Sequence, residues 1–298
     1  MIVFESDFNV AEKLAAKCGT KRGEIFLKKF PDGECYARLL SDVRGEDCVL
    51  IKSIYNNEEF VKTLLILDAI KRAGPKSITL IAPYLVYMRQ DKIFMPGEAL
   101  SAEVVLKILS KYASRICLIN SHIFRMEGEF AYSGIKIYNI DAFPEIAKYF
   151  RKLHDPKVIA PDKGAFGLAE RCGKILGCEI NYLEKERDRV SGKVMIKSRD
   201  LKIEGKDVII IDDMISSGGT MIEALKIIKA QKPASINLAC VHGIFCDEQN
   251  FQTLSSLADE ILATNSIPNK AAKIDLSSLI AEKVAELRFD KTLEGDGR

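Results

Sequence analysis

The chain has 298 residues, a length that favours two domains over one large domain or several small ones. Hydrophobic residues make up 47% and charged residues 29%, which is the balance of an ordinary globular protein and excludes a largely disordered chain. The net charge of +2 provides no general cationic field, so we expect no binding of nucleic acid and no binding to a membrane surface. Any phosphate-binding site must therefore depend on a small group of neighbouring residues and not on the charge of the whole protein.

Cysteine content and the first residues indicate the compartment. Eight cysteines are scattered without a CxxC pair, which in a chain of this size indicates reduced thiols and a cytoplasmic location. Glu5 and Asp7 lie where a signal peptide needs a basic and then an apolar run, and no stretch approaches the ~18 apolar residues of a membrane span. We therefore expect a protein that is neither secreted nor embedded in a membrane.

In the first half, short β-branched runs alternate with segments of helical period. The predicted strands cover residues 49 to 54, 77 to 85 and 115 to 120, and the predicted helices cover residues 58 to 74 and the segment SAEVVLKILSKYA. The pair Gly74-Pro75 ends the first of these helices, because glycine tolerates a C-cap conformation and proline lacks an amide donor. The alternation predicts βαβ units with parallel, buried strands.

The second half repeats this pattern, with KVIAP, DVIIIDD, INLACVHGIF and EILATNS as strands and AFGLAERCGKILG and TMIEALKIIKAQ as helices. Two tandem α/β domains are the simplest architecture: residues 1–145, residues 146–289, and a tail at 290–298 that we expect to be disordered. The polar stretch from Glu184 to Lys206 predicts an exposed hairpin or a mobile loop, and loops of this length are more often functional than incidental.

The strongest chemical signal is the segment VIIIDDMISSGGT, which begins at Val208. A buried strand leads to Asp212 and Asp213 at the edge where open α/β sheets bind ligands. The next residues are Ser216, Ser217, Gly218, Gly219 and Thr220. They precede a helix, so that their small side chains and amides can enclose a phosphate. Taken singly, the acids could merely end a strand and the loop could merely cap a helix, but the two in this order favour a ligand site.

This segment resembles the signature of the type I phosphoribosyltransferase fold. In that fold the acidic pair holds the ribose 2- and 3-hydroxyls and the following loop holds the 5-phosphate. The resemblance implies that Asp212, Asp213 and the loop from Ser216 to Thr220 bind ribose 5-phosphate. It also implies two tandem domains of this α/β type, each with a mostly parallel sheet flanked by helices.

Further motifs resemble the ribose-phosphate pyrophosphokinase family, and the shorter archaeal-type branch in particular. They are KKFPDGECYARL, RGEDCVLIKS, PYLVYMRQDK followed by GEALSAEVV, and LATNSIP, and the similarity extends over about residues 1 to 288. The resemblance implies transfer of the diphosphoryl group of ATP to the anomeric hydroxyl of ribose 5-phosphate, leaving AMP. It also implies a requirement for Mg²⁺ and a homodimer or a higher homo-oligomer.

The same resemblance identifies candidate ATP contacts in the first half. Arg89 and Gln90 follow a predicted strand, where an arginine can bind a phosphate bidentately. Phe30, Asp32 and Glu34 belong to a loop that the family uses for adenine, with the ring stacking and the acids accepting hydrogen bonds. A solvated turn at Arg89 and a Pro-Asp-Gly hairpin turn remain the alternatives.

Two residues at strand ends are candidate metal ligands, His122 and Asp162. A histidine in such a place is usually structural, and imidazole is an unusual ligand for Mg²⁺, so only the resemblance supports His122. The family commonly has an aspartate two residues before this histidine, whereas this chain has Asn120. The sequence therefore predicts an incomplete acidic cluster at this position.

A second turn matches the diphosphate-binding turn of the family and consists of Asp162, Lys163, Gly164 and Ala165. Simple exposure is the alternative for Lys163. In the phosphate loop, Ser216 stands where many members have an acid, although a serine can still donate to a phosphate.

Lys185 and Arg187 lie in the polar stretch and match the catalytic loop of the family. A charge run is usually a solvated face, yet phosphoryl transfer depends on cations that neutralise the developing charge. The chain contains no GxxxxGK[ST] and no GxGxxG motif, which argues against a P-loop kinase and a dinucleotide enzyme.

Two other functions remain open at this point. A phosphoribosyltransferase would bind a nucleobase and would need neither the FPDGE loop nor the Lys-x-Arg pair. A noncatalytic regulatory paralogue would account for Asn120, although the intact pair of Lys185 and Arg187 argues against it.

Overall fold

The structure is a computed structural model, which describes residues 1–5, 8–124, 126–187, 194–197 and 200–289. The side chains of residues 16–18, 185–187, 194–197 and 288–289 lie outside this description. The described chain forms two compact units: Met1–Asp141 together with the segment that follows Asp275, and Ala142–Asp275. The tail expected at 290–298 is also outside the described residues.

The first unit is built on a seven-stranded sheet with the order β2-β1-β5-β6-β7-β9-β8, in which only β8 is antiparallel to its neighbour. Its strands are β1 (Ile2–Glu5), β2 (Lys21–Arg22), β5 (Asp47–Ile51), β6 (Ser77–Ala82), β7 (Arg115–Ile119), β8 (Gly128–Tyr132) and β9 (Ile135–Ile140). An antiparallel hairpin, β3 (Ile25–Lys29) and β4 (Cys35–Leu39), forms a sheet of its own. The helices before residue 141 are α1 (Val10–Cys18), α2 (Asn57–Arg72) and α3 (Ser101–Ser110).

The second unit has a six-stranded, fully parallel sheet with the order β11-β10-β14-β15-β16-β17. Its strands are β10 (Lys157–Ala160), β11 (Glu179–Tyr182), β14 (Asp207–Ile215), β15 (Ser235–Gly243), β16 (Glu260–Thr264) and β17 (Ala272–Ile274). Its helices are α4 (Phe143–Tyr149), α5 (Phe166–Leu176), α6 (Gly219–Lys229) and α7 (Glu248–Leu257), with short 3₁₀ turns at Phe150–Lys152 and Lys163–Ala165. The predicted α/β fold with mostly parallel sheets is confirmed.

Local sequence explains these elements. Helix α2 begins where the side chain of Asn56 accepts a hydrogen bond from the Glu59 amide at 2.8 Å, and it has acidic residues in its first turn and basic residues in its last. It ends just before Gly74, which has a φ of 75°. The polar stretch in the second half forms an antiparallel hairpin of β12 (Glu184–Arg187) and β13 (Val194–Lys197).

The connections place a topological switch point in each sheet. From β1 the chain runs to β2 on one side and, after the hairpin, to β5 on the other side. From β10 it runs to β11 on one side and, after the second hairpin, to β14 on the other. Open α/β sheets bind ligands at such points, outside the carboxyl ends of the strands. The crevice between β10 and β14 is therefore a candidate binding site.

The two units share the same strand arrangement around their central strands, and individual hydrogen bonds are repeated in it. Asp47 begins β5 and accepts a hydrogen bond from the hydroxyl of Ser77 on the neighbouring strand. Asp207 begins β14 and accepts the same hydrogen bond from Ser235, at 2.6 Å. The register of β5 and β14 can therefore be matched residue by residue.

A second pair of hydrogen bonds repeats at the opposite end of the sheets. The side-chain amide of Asn120, directly after β7, donates to Asp141 at 2.9 Å. That of Asn265, directly after β16, donates to Asp275 at 3.0 Å. Each of these aspartates is the last residue before the chain passes into the other unit.

Helix α8 (Ser277–Phe289) belongs to the first unit and packs against α1. Its hydroxyls accept hydrogen bonds from the backbone amide of Asn9 and from the ammonium group of Lys13. The sequence had suggested a single boundary at residue 145 and had placed this helix in the second domain. The units instead divide after Asp141 and again after Asp275, because the buried face of α8 packs on a helix from the start of the chain.

The described cysteines are free thiols, and no helix within the described ranges is long and apolar enough to cross a membrane.

We expect Ile280→Ala to lower the free energy of unfolding by about 2–5 kcal/mol, because the side chain is fully buried in α8. Hydrogen exchange should then increase in α1 and not in the second unit. The exposed Glu282→Ala on the same helix serves as the control. Faster exchange confined to residues 142–275 would contradict the placement of α8.

Candidate active site

Three acidic residues meet at the switch point of the second unit. Asp162 follows β10, and Asp212 and Asp213 lie in the second half of β14, which pairs with β10. The strand continues to Ile215, two residues beyond the segment DVIIIDD that the sequence predicted as the strand, so the acids lie within it and not at its very end. Asp213 is buried, with 7% of its surface exposed, and Asp212 is partly buried.

The negative charges of these three carboxylates repel one another, and burial adds to the cost of ionising Asp212. Burial raises the pKa of the Asp212 carboxyl well above its usual range, and the charge of Asp213 and then that of Asp162 raise it further. The Asp213 amide donates to Asp212 Oδ1 at 2.9 Å, and the Met214 amide donates to Asp213 Oδ1 at 2.8 Å, which orients both carboxylates. A ligand that donates hydrogen bonds or carries positive charge would stabilise the ionised pair.

The loop from Ser216 to Thr220 connects this strand to α6. Gly218 has a φ of 84°, and a Cβ at this position would lie 2.9 Å from Leu254 Cδ1, so the loop requires glycine here. Helix α6 begins at Gly219 without a side-chain cap, which leaves the first-turn amides directed outward for an anion. The Asn250 side chain holds the loop by donating to the carbonyl of Ser217 at 2.9 Å.

The turn after β10 is stabilised by a hydrogen bond to the side chain of Asp162, which is part of the turn. Asp162 Oδ1 accepts a hydrogen bond from the amide of Ala165 at 3.1 Å, which closes the 3₁₀ turn before α5. A Cβ on Gly164 would lie 3.1 Å from the same oxygen, which is a tight contact. Lys163 is exposed. The turn therefore lies next to the acidic pair and presents a cation to solvent.

In the first unit, Phe30, Asp32 and Glu34 lie at the tip of the β3–β4 hairpin. The amide of Gly33 donates to the carbonyl of Phe30 at 2.9 Å, and Asp32 Oδ1 accepts from the amide of Glu34 at 3.1 Å. The alternative of a hairpin turn is therefore correct as a description of the backbone. Phe30 is 37% exposed, and its ring makes an edge contact with Tyr36 at 6.2 Å between centroids.

Arg89 and Gln90 lie in a turn that follows β6. Arg89 is exposed and has no hydrogen bond or ion pair among the described residues, which leaves its guanidinium group open to an anion. The Gln90 side chain donates to Glu98 at 3.3 Å. Glu98 also accepts from the amides of Met95 and Phe94, and these two hydrogen bonds lower the pKa of its carboxyl.

His122 follows β7 by three residues and is partly buried. It belongs to the first unit, whereas Asp162, the other candidate metal ligand, belongs to the second. Within the described ranges, no three His, Cys, Asp or Glu side chains are grouped as a complete metal site. Lys185 and Arg187 lie on β12 of the second hairpin, and their side chains are outside the described residues.

The structure thus brings together Asp162, Asp212, Asp213 and the phosphate loop in the second unit, and it places the predicted ATP residues and His122 in the first. Sequence reasoning missed Asn250 and Glu98. Asn250 holds a loop that is 33 residues away in the chain, whereas Glu98 holds the turn directly before it, and neither residue belongs to a recognisable motif.

Comparison with known proteins agrees with this geometry. The family model described as the N-terminal domain of ribose phosphate pyrophosphokinase matches residues 1–112, and the phosphoribosyl transferase domain model matches residues 139–264. The crystal structure of phosphoribosylpyrophosphate synthetase from Mycobacterium smegmatis aligns with a TM-score of 0.80 over 97% of this chain and 99% of that chain. Its sequence identity is 24%, so it shows the shared fold.

Curated relatives show the family. The ribose-phosphate pyrophosphokinase of Sulfurisphaera tokodaii is 38% identical over 86% of this chain and 90% of the relative. That of Pyrococcus abyssi is 36% identical over 87% of this chain and 89% of the relative. That of Methanopyrus kandleri is 32% identical over 96% of this chain and 99% of the relative. Similarity at this level over most of both chains shows that this chain belongs to the ribose-phosphate pyrophosphokinase family of enzymes.

Proposed function

We propose that this chain transfers the β,γ-diphosphoryl group of ATP to O1 of ribose 5-phosphate, giving 5-phosphoribosyl 1-diphosphate and AMP. The sugar oxygen attacks the β-phosphorus, the bond from that phosphorus to the oxygen of the α-phosphate breaks, and the hydroxyl proton passes to solvent. The observation that carries this proposal is the pair of Asp213, which is buried, and Asp212, which is partly buried, beside a loop of uncapped helix amides at a sheet switch point.

Ribose 5-phosphate fits this arrangement by charge and by geometry. Vicinal hydroxyls can donate to the carboxylates of Asp212 and Asp213 and so offset the burial and the charge repulsion that raise the pKa of Asp212. The phosphate can accept from the first-turn amides of α6 and from Ser216 and Ser217. The turn from Asp162 to Ala165, with its exposed Lys163, is suited to the diphosphate.

Mg²⁺ fits the donor set of the second unit. The ion prefers carboxylate and phosphate oxygens and keeps several waters, so it needs only one or two carboxylates from the protein. Asp162 is our candidate ligand, with His122 beside the nucleotide. When bound, Mg²⁺ neutralises charge on the phosphate oxygens. The protein residues themselves hold the sugar and orient its O1.

Lys185 and Arg187 are our candidate catalytic residues. They lie on the β12–β13 hairpin, which forms a two-stranded sheet and pairs with no other strand among the described residues. Such a hairpin can bring cations to the transferring group as charge develops.

ATP is assigned to the first unit, with the adenine at Phe30, Asp32 and Glu34 and the phosphates at Arg89 and Gln90. One face of the β3–β4 hairpin is exposed and aromatic, with Phe26 at 44% and Tyr36 at 39% exposure. Exposed aromatic patches of this kind are typical of contact surfaces. We therefore propose a homodimer or a higher oligomer, in which this face contacts another subunit. The free thiols support a cytoplasmic location.

A direct assay tests the reaction. With Mg-ATP and ribose 5-phosphate, we expect AMP in a one-to-one ratio with the activated sugar. ADP as the nucleotide product would overturn the assignment, and a product that forms only when a nucleobase and the activated sugar are supplied would indicate a phosphoribosyltransferase.

Asp212→Asn should raise thermal stability while lowering kcat/KM for ribose 5-phosphate by about tenfold or more. The pKa of the Asp212 carboxyl is higher in the folded protein than in the unfolded chain, where it is near 4. Ionisation therefore lowers the free energy of unfolding as the pH rises from the unfolded pKa through the folded pKa. The stability of the wild type should therefore fall relative to the variant as the pH rises above the pKa of the unfolded carboxyl. The exposed Glu204→Gln is the control, and an equal pH dependence in wild type and Asp212→Asn would refute the account.

Mixed oligomers test the assembly. Phe30→Ala removes the stacking ring and Lys185→Ala removes the catalytic cation, so each homo-oligomer should be inactive. If the hairpin serves a neighbouring subunit, up to about a quarter of the sites in a randomly mixed dimer should have both intact residues. Activity that stays at the parental level in a verified mixed oligomer would show that each chain builds its site alone.

A further inference from the structure

One buried side chain forms hydrogen bonds to both ends of the connection between β7 and β8, which contains His122. Asn139 lies on β9, between β7 and β8 in the sheet, and has no exposed surface. Its Oδ1 accepts a hydrogen bond from the amide of Ser121 at 2.9 Å, and its Nδ2 donates to the carbonyl of Met126 at 2.8 Å. A single amide group therefore joins the two ends of the connection between the strands.

Asn120, which directly precedes this connection, is held by a hydrogen bond to the same strand, β9. Asn120 has a φ of 40°, in the left-handed region, and its amide donates to the carbonyl of Ile140 at 2.9 Å. Its side chain donates to Asp141. Asparagine suits this position better than aspartate, because it tolerates the left-handed conformation and also supplies a donor to a neighbouring carboxylate.

The second unit provides an internal comparison. Asn265 makes the equivalent hydrogen bonds, with its amide donating to Ile274 at 2.9 Å and its side chain donating to Asp275. The residue in the place of Asn139 is Lys273, which is exposed and pairs with Glu260 instead. The asparagine–aspartate pair is thus common to both units and belongs to the scaffold.

Among the described residues, an amide bridge from this strand position is found only in the unit that has a histidine after this pair; in the second unit a residue of the connection itself, Asn269, accepts from the amide of Ala271 and donates to the carbonyl of Ile267. Counting from the two asparagines, the residue in the place of His122 is Ile267 in the second unit. Next to His122, the hydroxyl oxygen of Ser121 is buried and has no hydrogen-bond partner among the described residues. A buried polar atom without a partner marks a place where a ligand or water completes the hydrogen bonding.

We propose that Asn139 is a positioning residue, which holds Ser121 and His122 in the orientation that receives the metal–nucleotide complex. This inference rests on the proposed function, because the nucleotide and Mg²⁺ come from it. The amide side chain of Asn139 accepts from one backbone group and donates to another at once, whereas an ionised aspartate of nearly the same shape can only accept and so cannot replace it. Asp141 supports the bridge through Asn120.

The test compares Asn139→Asp with Asn237→Asp, a matched change at a buried asparagine of the second sheet, whose side chain donates to Val208 and Ser235. The first readout is hydrogen exchange at the Ser121 amide in protein without metal or nucleotide. The second is the affinity for Mn²⁺ in the presence of a non-hydrolysable ATP analogue, followed by electron paramagnetic resonance.

We expect Asn139→Asp to speed exchange at Ser121 and to weaken Mn²⁺ binding by about 10-fold or more, as is typical when a residue that orients a metal ligand is lost. Asn237→Asp should lower the melting temperature with Mn²⁺ affinity unchanged. Should Asn139→Asp fail to fold, the uncharged Asn139→Ser replaces it, with the same expectations.

Unchanged Ser121 exchange, or unchanged Mn²⁺ affinity, in a folded Asn139 variant would overturn the proposal. An equal loss of Mn²⁺ affinity in Asn237→Asp would also overturn it, because the effect would then be one of general stability. Failure of the proposed function would show separately, as a wild-type protein that forms no AMP from Mg-ATP and ribose 5-phosphate.

Discussion

Two carboxylates at the buried end of one parallel strand set the main constraint on this protein. Asp212 is disfavoured as an anion by burial, by Asp213 and by Asp162, and the hydrogen bond from the Asp213 amide offsets this only in part. Its partner in register on β15 is Cys240, where burial and the Asp212 charge raise the pKa of the thiol, so the thiol stays neutral. The fold therefore maintains an electrostatic cost that a ligand with hydroxyl donors can relieve, which is typical of binding sites.

The first unit shows how the same scaffold avoids that cost. Counting along β5 and β14 from their matched aspartates, Lys52 and Ser53 occupy the places of Asp212 and Asp213. Lys52 pairs with Glu59 at 2.5 Å, and both are buried, so their charges are balanced within the fold. A cavity of about 550 Å³ lies at this crevice, with a largely apolar lining. The same strand position thus carries an acidic pair in the second unit and the lysine of a buried ion pair in the first.

The ligand residues of the second unit could be predicted because they are close in sequence. A run of apolar residues, two acids and a small-residue loop lie within a single strand–loop–helix unit, where local geometry determines their relation. Asn250, Glu98 and Asn139 could not be found in this way. Asn250 and Asn139 act through hydrogen bonds to segments whose proximity depends on how strands and helices pack. Glu98 acts on backbone amides three and four residues before it, but a single glutamate in an irregular loop carries no pattern of its own.

The alternation of strands and helices, their parallel pairing and the motif loops follow from local periodicity, capping and turn chemistry, which act over a few residues. The division of the chain does not. Helix α8 follows the second sheet in sequence but packs on α1 of the first unit, because burial of an apolar face is decided by the partner available in space. The match between Asn120–Asp141 and Asn265–Asp275 also appears only in three dimensions, since each hydrogen bond joins strands that are neighbours in the sheet and separated along the chain.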